Sequence, residues 1–190
     1  MNSEVEELPM LTVRNFFRLN VSRCGKKIGG NLIFVGAFLL LLFVSGQSYA
    51  AGNHSEIGFG GGQGGVFDEE RRVYVLAEYR SKYNWKGIAP IIALHTSGRE
   101  SYITSGIFRD FEIKRQWFAT PAFSVGLYFQ EHGVTLGSNL EFKSSFAISY
   151  KADSGARFGA RIAHVSNGGI SEYNPGSEML TLFFTLPVTE

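Results

Sequence analysis

Three side chains near the C-terminus could together hydrolyse an ester. His164 and Ser166 stand two residues apart in the segment HVSNGG, and Glu178 begins the segment EMLTLFFTL. A serine hydroxyl attacks an acyl carbonyl when a histidine removes its proton, and a carboxylate can orient the imidazole. The trio therefore predicts an acyl hydrolase with Ser166 as nucleophile, His164 as base and Glu178 as the acid that orients the base.

These residues belong to two segments in which apolar and polar side chains alternate with the two-residue period of a β-strand. His164 and Ser166 continue the apolar positions of the first segment, and Glu178 continues those of the second. The apolar positions are Phe158, Ala160 and Ile162 in the first segment and Leu180, Leu182, Phe184 and Leu186 in the second. A polar group at a lipid-facing position is energetically unfavourable, so its presence there indicates a function. The placement of the three residues therefore predicts a lipid substrate.

The same alternation recurs after residue 51 in runs of about ten residues, and no helical period is sustained. The runs are 54–60, 72–80, 88–96, 102–113, 123–130, 140–151, 157–166 and 178–188. About eight alternating strands and no helix predict an all-β fold in which an antiparallel sheet closes on itself. Alternation defines two faces of such a sheet without saying which one is inside.

Two closed architectures fit this pattern, a soluble lipocalin-like barrel and an eight-stranded antiparallel transmembrane β-barrel. Runs of this length match the ~9–11 residues of a tilted membrane crossing. Several polar faces carry Lys, Arg and Glu together, as the lumen of a narrow membrane barrel does. Aromatic residues lie near strand ends, as at a membrane interface: Tyr83, Trp85, Trp117 and Phe118. We therefore favour the transmembrane barrel, with the soluble barrel as the alternative.

The chain divides into a leader, residues 1–50, and one barrel domain, residues 51–190. Two lysines at 26–27 precede an apolar run at 32–44, and the segment SYA at 48–50 has the small-x-small pattern of a cleavage site. The apolar run is shorter than the ~20 residues that a membrane-spanning helix needs. The pattern predicts a signal peptide that is removed, and an uncleaved anchor is the alternative.

The composition argues against a nucleic acid partner and against disulfides. Lys and Arg number 18 against 17 for Asp and Glu, so no basic excess predicts a nucleic acid partner. The single cysteine, Cys24, lies in the leader, so the exported domain makes no disulfide.

No cofactor or metal ion is expected. Gly60, Gly62 and Gly65 have the spacing of a dinucleotide-binding loop, but no helix follows them, so we interpret this segment as a flexible first loop. The remaining histidines are too scattered for a metal site: His54, His95 and His132.

Loop lengths predict which end of the barrel carries the trio. The turn DSG at 153–155 is tight, as periplasmic turns are. The connections at 131–139 and 167–177 are longer, as extracellular loops are. The trio then lies on the outside of the barrel, at its extracellular rim.

Other polar residues have predicted supporting roles. Asn167, with the backbone N–H groups of Gly168 and Gly169, is a candidate oxyanion hole. Charged residues of the strands predict a network in the lumen, formed by Arg157, Arg161, Glu141 and Lys143. Basic residues at the rim could contact a substrate phosphate: Arg71, Arg72 and Arg99. Alternatively, His164 and Ser166 mark a strand end at the membrane interface.

The pattern His164-x-Ser166-Asn167-x-Gly169, with Glu178 fourteen residues after the histidine, resembles the lipid A 3-O-deacylases of the PagL type. The resemblance covers roughly the last thirty residues. It implies an eight-stranded outer-membrane barrel that removes an ester-linked acyl chain from lipopolysaccharide. It also implies Ser166 as nucleophile, His164 as base and Glu178 as its orienting acid. Asn174 matches an asparagine of the family's last loop.

We accordingly expect a carboxylic ester hydrolase in the outer membrane of a Gram-negative bacterium, with lipid A of lipopolysaccharide as its substrate. A homodimer is left open. Two alternative functions remain at this stage. The first is a non-catalytic barrel with a structural or adhesive role, and the second is a phospholipase of other specificity, because a triad fixes the reaction rather than the acyl donor.

Overall fold

The computed structural model describes residues 54–68, 71–82, 85–131 and 135–188. The predicted leader, residues 1–50, lies outside the described residues. Within the described ranges, no helix is long and apolar enough to span a membrane.

The described part of the chain contains nine strands, and each pairs antiparallel with its neighbours. They are β1 (Ser55–Gly64), β2 (Arg72–Arg80), β3 (Ile88–Thr96), β4 (Glu100–Arg109), β5 (Phe111–Lys114), β6 (Trp117–Gln130), β7 (Leu140–Lys151), β8 (Arg157–Ser166) and β9 (Ser177–Val188). β4 and β5 both pair with β6 and are separated only by Asp110, so they form one interrupted barrel strand. β1 pairs with both β2 and β9, which closes the barrel. The predicted eight-stranded antiparallel barrel is therefore confirmed.

The faces of the strands are those of a membrane barrel. Outward side chains are apolar and exposed; Leu182 is 69% exposed and Phe158 57%. Inward side chains are charged and buried, for example Arg157 at 1% and Glu78 at 4%. A soluble barrel would have the reverse pattern, since it buries apolar residues inside. The faces thus agree with the transmembrane alternative.

Ion pairs fill the lumen. Asp110, at the break between β4 and β5, contacts Arg80 at 3.0 Å and Arg157 at 2.9 Å. Arg157 also lies 3.5 Å from Glu56 of β1. Because a buried charge is costly unless it is paired, each of these contacts links distant strands across the interior.

The four residues of the predicted lumen network are all buried inside the barrel, but the described contacts pair them with other residues rather than with one another. Arg161 contacts Glu78 at 2.6 Å, and Lys143 Nζ lies 2.9 Å from His95 Nε2. Neither carboxylate oxygen of Glu141 has a hydrogen-bond partner among the described residues. Alternation assigns residues to a face, but partners across the lumen depend on the strand register, which a single sequence does not contain.

The glycine-rich segment is a strand rather than the predicted flexible loop. β1 extends to Gly64, and its inward Gly62 lies against the β9 backbone. A Cβ at Gly62 would collide with the Leu180 carbonyl oxygen. Glycine is therefore required here by close approach of two backbones, one of the known uses of a strand glycine.

The two ends of the barrel differ in their connections. At one end the strands are joined by residues 81–87, 115–116 and 152–156, and at the other by residues 65–71, 97–99, 131–139 and 167–176. Ser166 ends β8 and Glu178 is the second residue of β9, so the predicted trio lies at the second of these ends. We call it the site end.

Candidate active site

Strand register brings the histidine and the carboxylate together. His164 of β8 stands directly opposite Glu178 of β9. Residues directly opposite each other in an antiparallel pair have Cβ atoms about 4.5–5.5 Å apart, close enough for their side chains to touch. His164 Nδ1 lies 3.2 Å from Glu178 Oε1. This is the contact that orients the imidazole and directs Nε2 away from the carboxylate.

The pair lies on the outside of the barrel. Apolar side chains share the outward face with His164 on β8 and with Glu178 on β9. Among them, Phe158, Ile162, Leu180 and Leu182 are each at least 48% exposed. The His164 side chain is 39% exposed and that of Glu178 is 29% exposed. The two polar groups therefore remain accessible at the upper edge of an apolar surface, which agrees with the predicted parity.

Gly176 supports the imidazole from the loop side. A Cβ built on Gly176 would lie 2.9 Å from His164 Cε1 and 3.5 Å from Nε2. Gly176 also has a φ of 71°, which L side chains rarely adopt. The imidazole is thus held between Glu178 on one side and the bare backbone of Gly176 on another. Sequence reasoning missed this residue, although its position directly before a strand, after Pro175, marks a turn.

Ser166 is the last residue of β8, one outward position beyond His164. It is buried, and it stands opposite Phe142 of β7. Its hydroxyl makes no hydrogen bond with any described residue. Catalytic hydrogen bonds are often long without substrate and tighten in the complex, so this geometry leaves Ser166 available to the His164 imidazole.

Asn167 organises the loop that follows the serine. Its fully buried amide donates to the carbonyl oxygens of Leu136 at 3.1 Å and Tyr173 at 2.9 Å, and its Oδ1 accepts the Gly169 N–H at 2.9 Å. Its own backbone N–H donates to Asn174 Oδ1 at 3.2 Å. These bonds tie the 167–176 connection to the 131–139 connection at the site end.

The same bonds bear on the predicted oxyanion hole. The Asn167 amide and the Gly169 N–H are engaged inside the loop. Of the three predicted residues, Gly168 is the one whose backbone N–H has no partner in the described ranges. Gly168 therefore stays a candidate donor.

Arg72 begins β2 at the site end, and its side chain points into the barrel. It forms an ion pair with Glu100 at 2.8 Å and donates to Ser177 Oγ at 2.9 Å. The predicted contact of Arg72 with a substrate phosphate is therefore wrong, because the side chain is occupied in the lumen. Arg71 and Arg99 are exposed at the site end and stay candidates for that contact.

Ser177 anchors the strand end that carries the acid. Besides accepting from Arg72, its hydroxyl donates to Asp68 Oδ2 at 3.3 Å. Ser177 directly precedes Glu178, and Val66 N donates to the Glu178 carbonyl at 3.3 Å. The backbone at Glu178 is thus fixed from the lumen side and from the 65–71 connection, while its carboxylate faces outward.

Comparisons with known proteins identify the family and agree with the fold. A protein-family model described as lipid A 3-O-deacylase (PagL) matches residues 73–187, more than half of the chain. The chain belongs to the lipid A 3-O-deacylase (PagL) family. The predicted family is therefore confirmed.

One curated relative is the lipid A deacylase PagL of Pseudomonas aeruginosa. It is 36% identical to this chain over 53 residues, which cover 28% of this chain and 31% of the relative. The match thus spans about a third of the length of that protein.

Two solved structures share the fold. The crystal structure of the outer membrane enzyme PagL has a TM-score of 0.55 at 18% identity and covers 70% of this chain and 99% of that one. The crystal structure of Neisserial surface protein A has a TM-score of 0.53 at 10% identity and covers 70% and 97%. At these identities the likeness concerns the barrel alone.

Proposed function

We propose that this chain is a lipid A 3-O-deacylase that cleaves its substrate on the outer surface of the barrel, with Ser166 as nucleophile, His164 as general base and Glu178 as the acid that orients it. The observation that carries the proposal is the His164–Glu178 contact of 3.2 Å on the lipid-facing side. Family membership supports the choice of lipid A as substrate.

The reaction follows from these positions. Ser166 Oγ attacks the ester carbonyl carbon while His164 Nε2 takes the hydroxyl proton. The tetrahedral intermediate collapses as the imidazolium returns that proton to the leaving sugar oxygen, which releases the sugar and leaves an acyl-enzyme. A water molecule, activated by the same imidazole, then hydrolyses the acyl-enzyme. Glu178 stabilises the imidazolium through Nδ1 in both halves of the reaction.

Access to the substrate is lateral in this proposal. The site end has the longer connections, which supports its assignment to the extracellular side. Lipid A of the outer leaflet can then diffuse to the barrel wall, with its acyl chains against apolar residues such as Ile162 and Leu180. Export requires the segment 1–50 as a cleaved signal peptide, which forms part of the proposal.

Mass spectrometry of lipid A tests the proposal. The chain and its Ser166→Ala variant are expressed in a Gram-negative host whose lipid A retains its 3-O-linked chain. We expect the wild type to remove one ester-linked acyl chain and the variant to leave lipid A intact. Unchanged lipid A with correctly inserted wild type would favour the non-catalytic barrel, and phospholipid cleavage alone would favour the phospholipase.

Location and association are measured in the same preparation. We expect the protein in outer-membrane pellets with an N-terminus at residue 51, and its mass in detergent distinguishes a monomer from the homodimer. Recovery in the periplasmic fraction would contradict the membrane assignment.

A further inference from the structure

Ser144 interrupts the apolar outer face of β7. The outward residues of this strand are Leu140, Phe142, Phe146 and Ile148, and Ser144 has the same parity between the two phenylalanines. The β7–β8 register is continuous from Phe142 to Lys151, so no bulge turns Ser144 inward. A hydroxyl on a lipid-facing position lacks water to satisfy it, which makes an unexplained one a candidate for function.

The register places Ser144 beside the catalytic residues. Ser144 stands directly opposite His164, on the side of the histidine that Glu178 does not occupy. It is diagonal to Ser166, which pairs with Phe142. Diagonal neighbours across an antiparallel pair have Cβ atoms about 7–8 Å apart. That gap accommodates one carbonyl group between the two hydroxyl oxygens.

The Ser144 hydroxyl is available for such a contact. It makes no hydrogen bond with any residue in the described part of the chain. The residue is 9% exposed, and Phe123 of β6 stands opposite it on the side away from His164. By contrast, the amide of Asn167 is committed to carbonyl oxygens of the loops.

We propose that Ser144 is a further catalytic residue, whose hydroxyl donates a hydrogen bond to the carbonyl oxygen of the substrate ester and to the oxyanion that forms from it. The proposal rests on the proposed function, since it needs Ser166 as nucleophile. The Gly168 N–H is the second donor toward the same oxygen. Two donors, one from β7 and one from the 167–176 connection, then define where the carbonyl lies.

The electron movements are those of acyl transfer. As the bond from Ser166 Oγ to the carbonyl carbon forms, the π electrons move to the carbonyl oxygen and its negative charge is stabilised by the Ser144 O–H. When the oxyanion collapses, the carbon–oxygen double bond reforms and the bond to the leaving sugar oxygen breaks. Ser144 keeps its proton throughout, so its contribution is electrostatic.

Three variants separate this role from a structural one. Ser144→Ala removes the hydroxyl, Ser144→Thr retains it, and Ser145→Ala makes the same change at the adjacent buried serine, which faces the lumen. Each is purified and refolded in detergent, and the release of fatty acid from lipopolysaccharide is measured. Loss of one oxyanion donor typically lowers kcat about 10²–10³-fold. We expect that loss for Ser144→Ala with little change in KM, recovery to within about tenfold in Ser144→Thr, and wild-type kcat in Ser145→Ala.

A second measurement is independent of the lipid substrate. An alkyl fluorophosphonate phosphonylates an activated serine, and its phosphoryl oxygen occupies the position of the oxyanion. We expect slower labelling of Ser166 in Ser144→Ala than in Ser145→Ala. Equal kcat, or equal labelling rates, in these two variants would overturn the role of Ser144. Failure of the wild type to deacylate lipopolysaccharide would instead overturn the proposed function, and the labelling rates would still decide the role of Ser144.

Discussion

The lumen and the outer wall both contain polar residues, but they differ in how these residues are partnered. Most charged side chains of the lumen are paired with one another, with Glu141 as an exception, whereas the two serines of the outer wall have no partner among the described residues. In the lumen, Asp110 contacts two arginines and is 2% exposed. On the outer wall, Ser166 and Ser144 have no hydrogen-bond partner among the described residues, and the His164 side chain is 39% exposed. Polar groups satisfied by one another hold the barrel together, whereas polar groups left unsatisfied on an apolar face are available to a substrate.

This difference predicts that substitutions on the wall reduce catalysis and leave stability unchanged, and that substitutions in the lumen do the reverse.

Among the residues that orient catalytic groups, Glu178 is expected to give the largest loss of kcat when its carboxylate is removed. Glu178→Gln keeps the size of the side chain but allows the wrong histidine tautomer, because the amide can donate to Nδ1. We expect kcat to fall about 10⁴-fold, as in other triads that lose this charge, with an unchanged unfolding midpoint. The kcat and the unfolding midpoint are both measured on refolded protein, and Glu172→Gln, at an exposed acid of the neighbouring 167–176 connection, is the control.

Asp110 tests the lumen side of the comparison. Asp110→Ala leaves Arg80 and Arg157 without their closest carboxylate, and removal of one partner of a buried pair costs about 3–5 kcal/mol. We expect that loss in the free energy of unfolding by urea, with near-normal kcat for the folded fraction. Glu112→Ala, two residues away on β5, is the control. Equal stability of the two variants would contradict the structural role of the lumen charges.

Gly176 tests the support of the imidazole. The added Cβ of Gly176→Ala would lie 2.9 Å from His164 Cε1, so the ring must move. A displacement of about 1 Å at a catalytic group can cost 10²-fold in rate, and we expect a loss of about that size in kcat. Gly98→Ala is matched, because Gly98 has a φ of 77° with no atom within 4 Å of its added Cβ. Similar kcat in both variants would show that the imidazole does not depend on Gly176.

A single long hydrogen bond from Arg157 to an uncharged side chain in the lumen should have the smallest effect on stability. Ser149 accepts a bond of 3.4 Å from Arg157, which keeps its contact with Asp110 when the serine is replaced. We expect Ser149→Ala to lower the free energy of unfolding by at most about 1 kcal/mol, with activity unchanged. A loss as large as that of Asp110→Ala would mean that contacts with uncharged side chains stabilise the lumen as much as the ion pairs do.

The outer position of the trio could be predicted from the sequence because alternation carries that information. Counting by twos from Ile162 reaches His164, and counting back from Leu180 reaches Glu178. The two-residue period is a geometric property of every strand, so the face follows without knowledge of the neighbours. The eight-stranded barrel could be predicted from the same alternation, which recurs in about eight segments of the chain.

Features that depend on register could not be predicted in this way. The pairing of Arg161 with Glu78 joins residues that are 83 positions apart, and Ser144 meets His164 only once β7 and β8 are aligned. A signal for Ser144 was nonetheless present, since it is the polar residue in a row of outward phenylalanines. The engagement of Asn167 depends on loop conformation, which strand periodicity does not describe.

Identification of the labelled residue tests the central claim most directly. The folded protein is treated with an alkyl fluorophosphonate in detergent, digested and examined by mass spectrometry. The account predicts a phosphonyl adduct on the peptide that contains Ser166, absent from the Ser166→Ala variant and strongly slowed in His164→Ala. An adduct on another serine, or equal labelling of the wild type and Ser166→Ala, would contradict it.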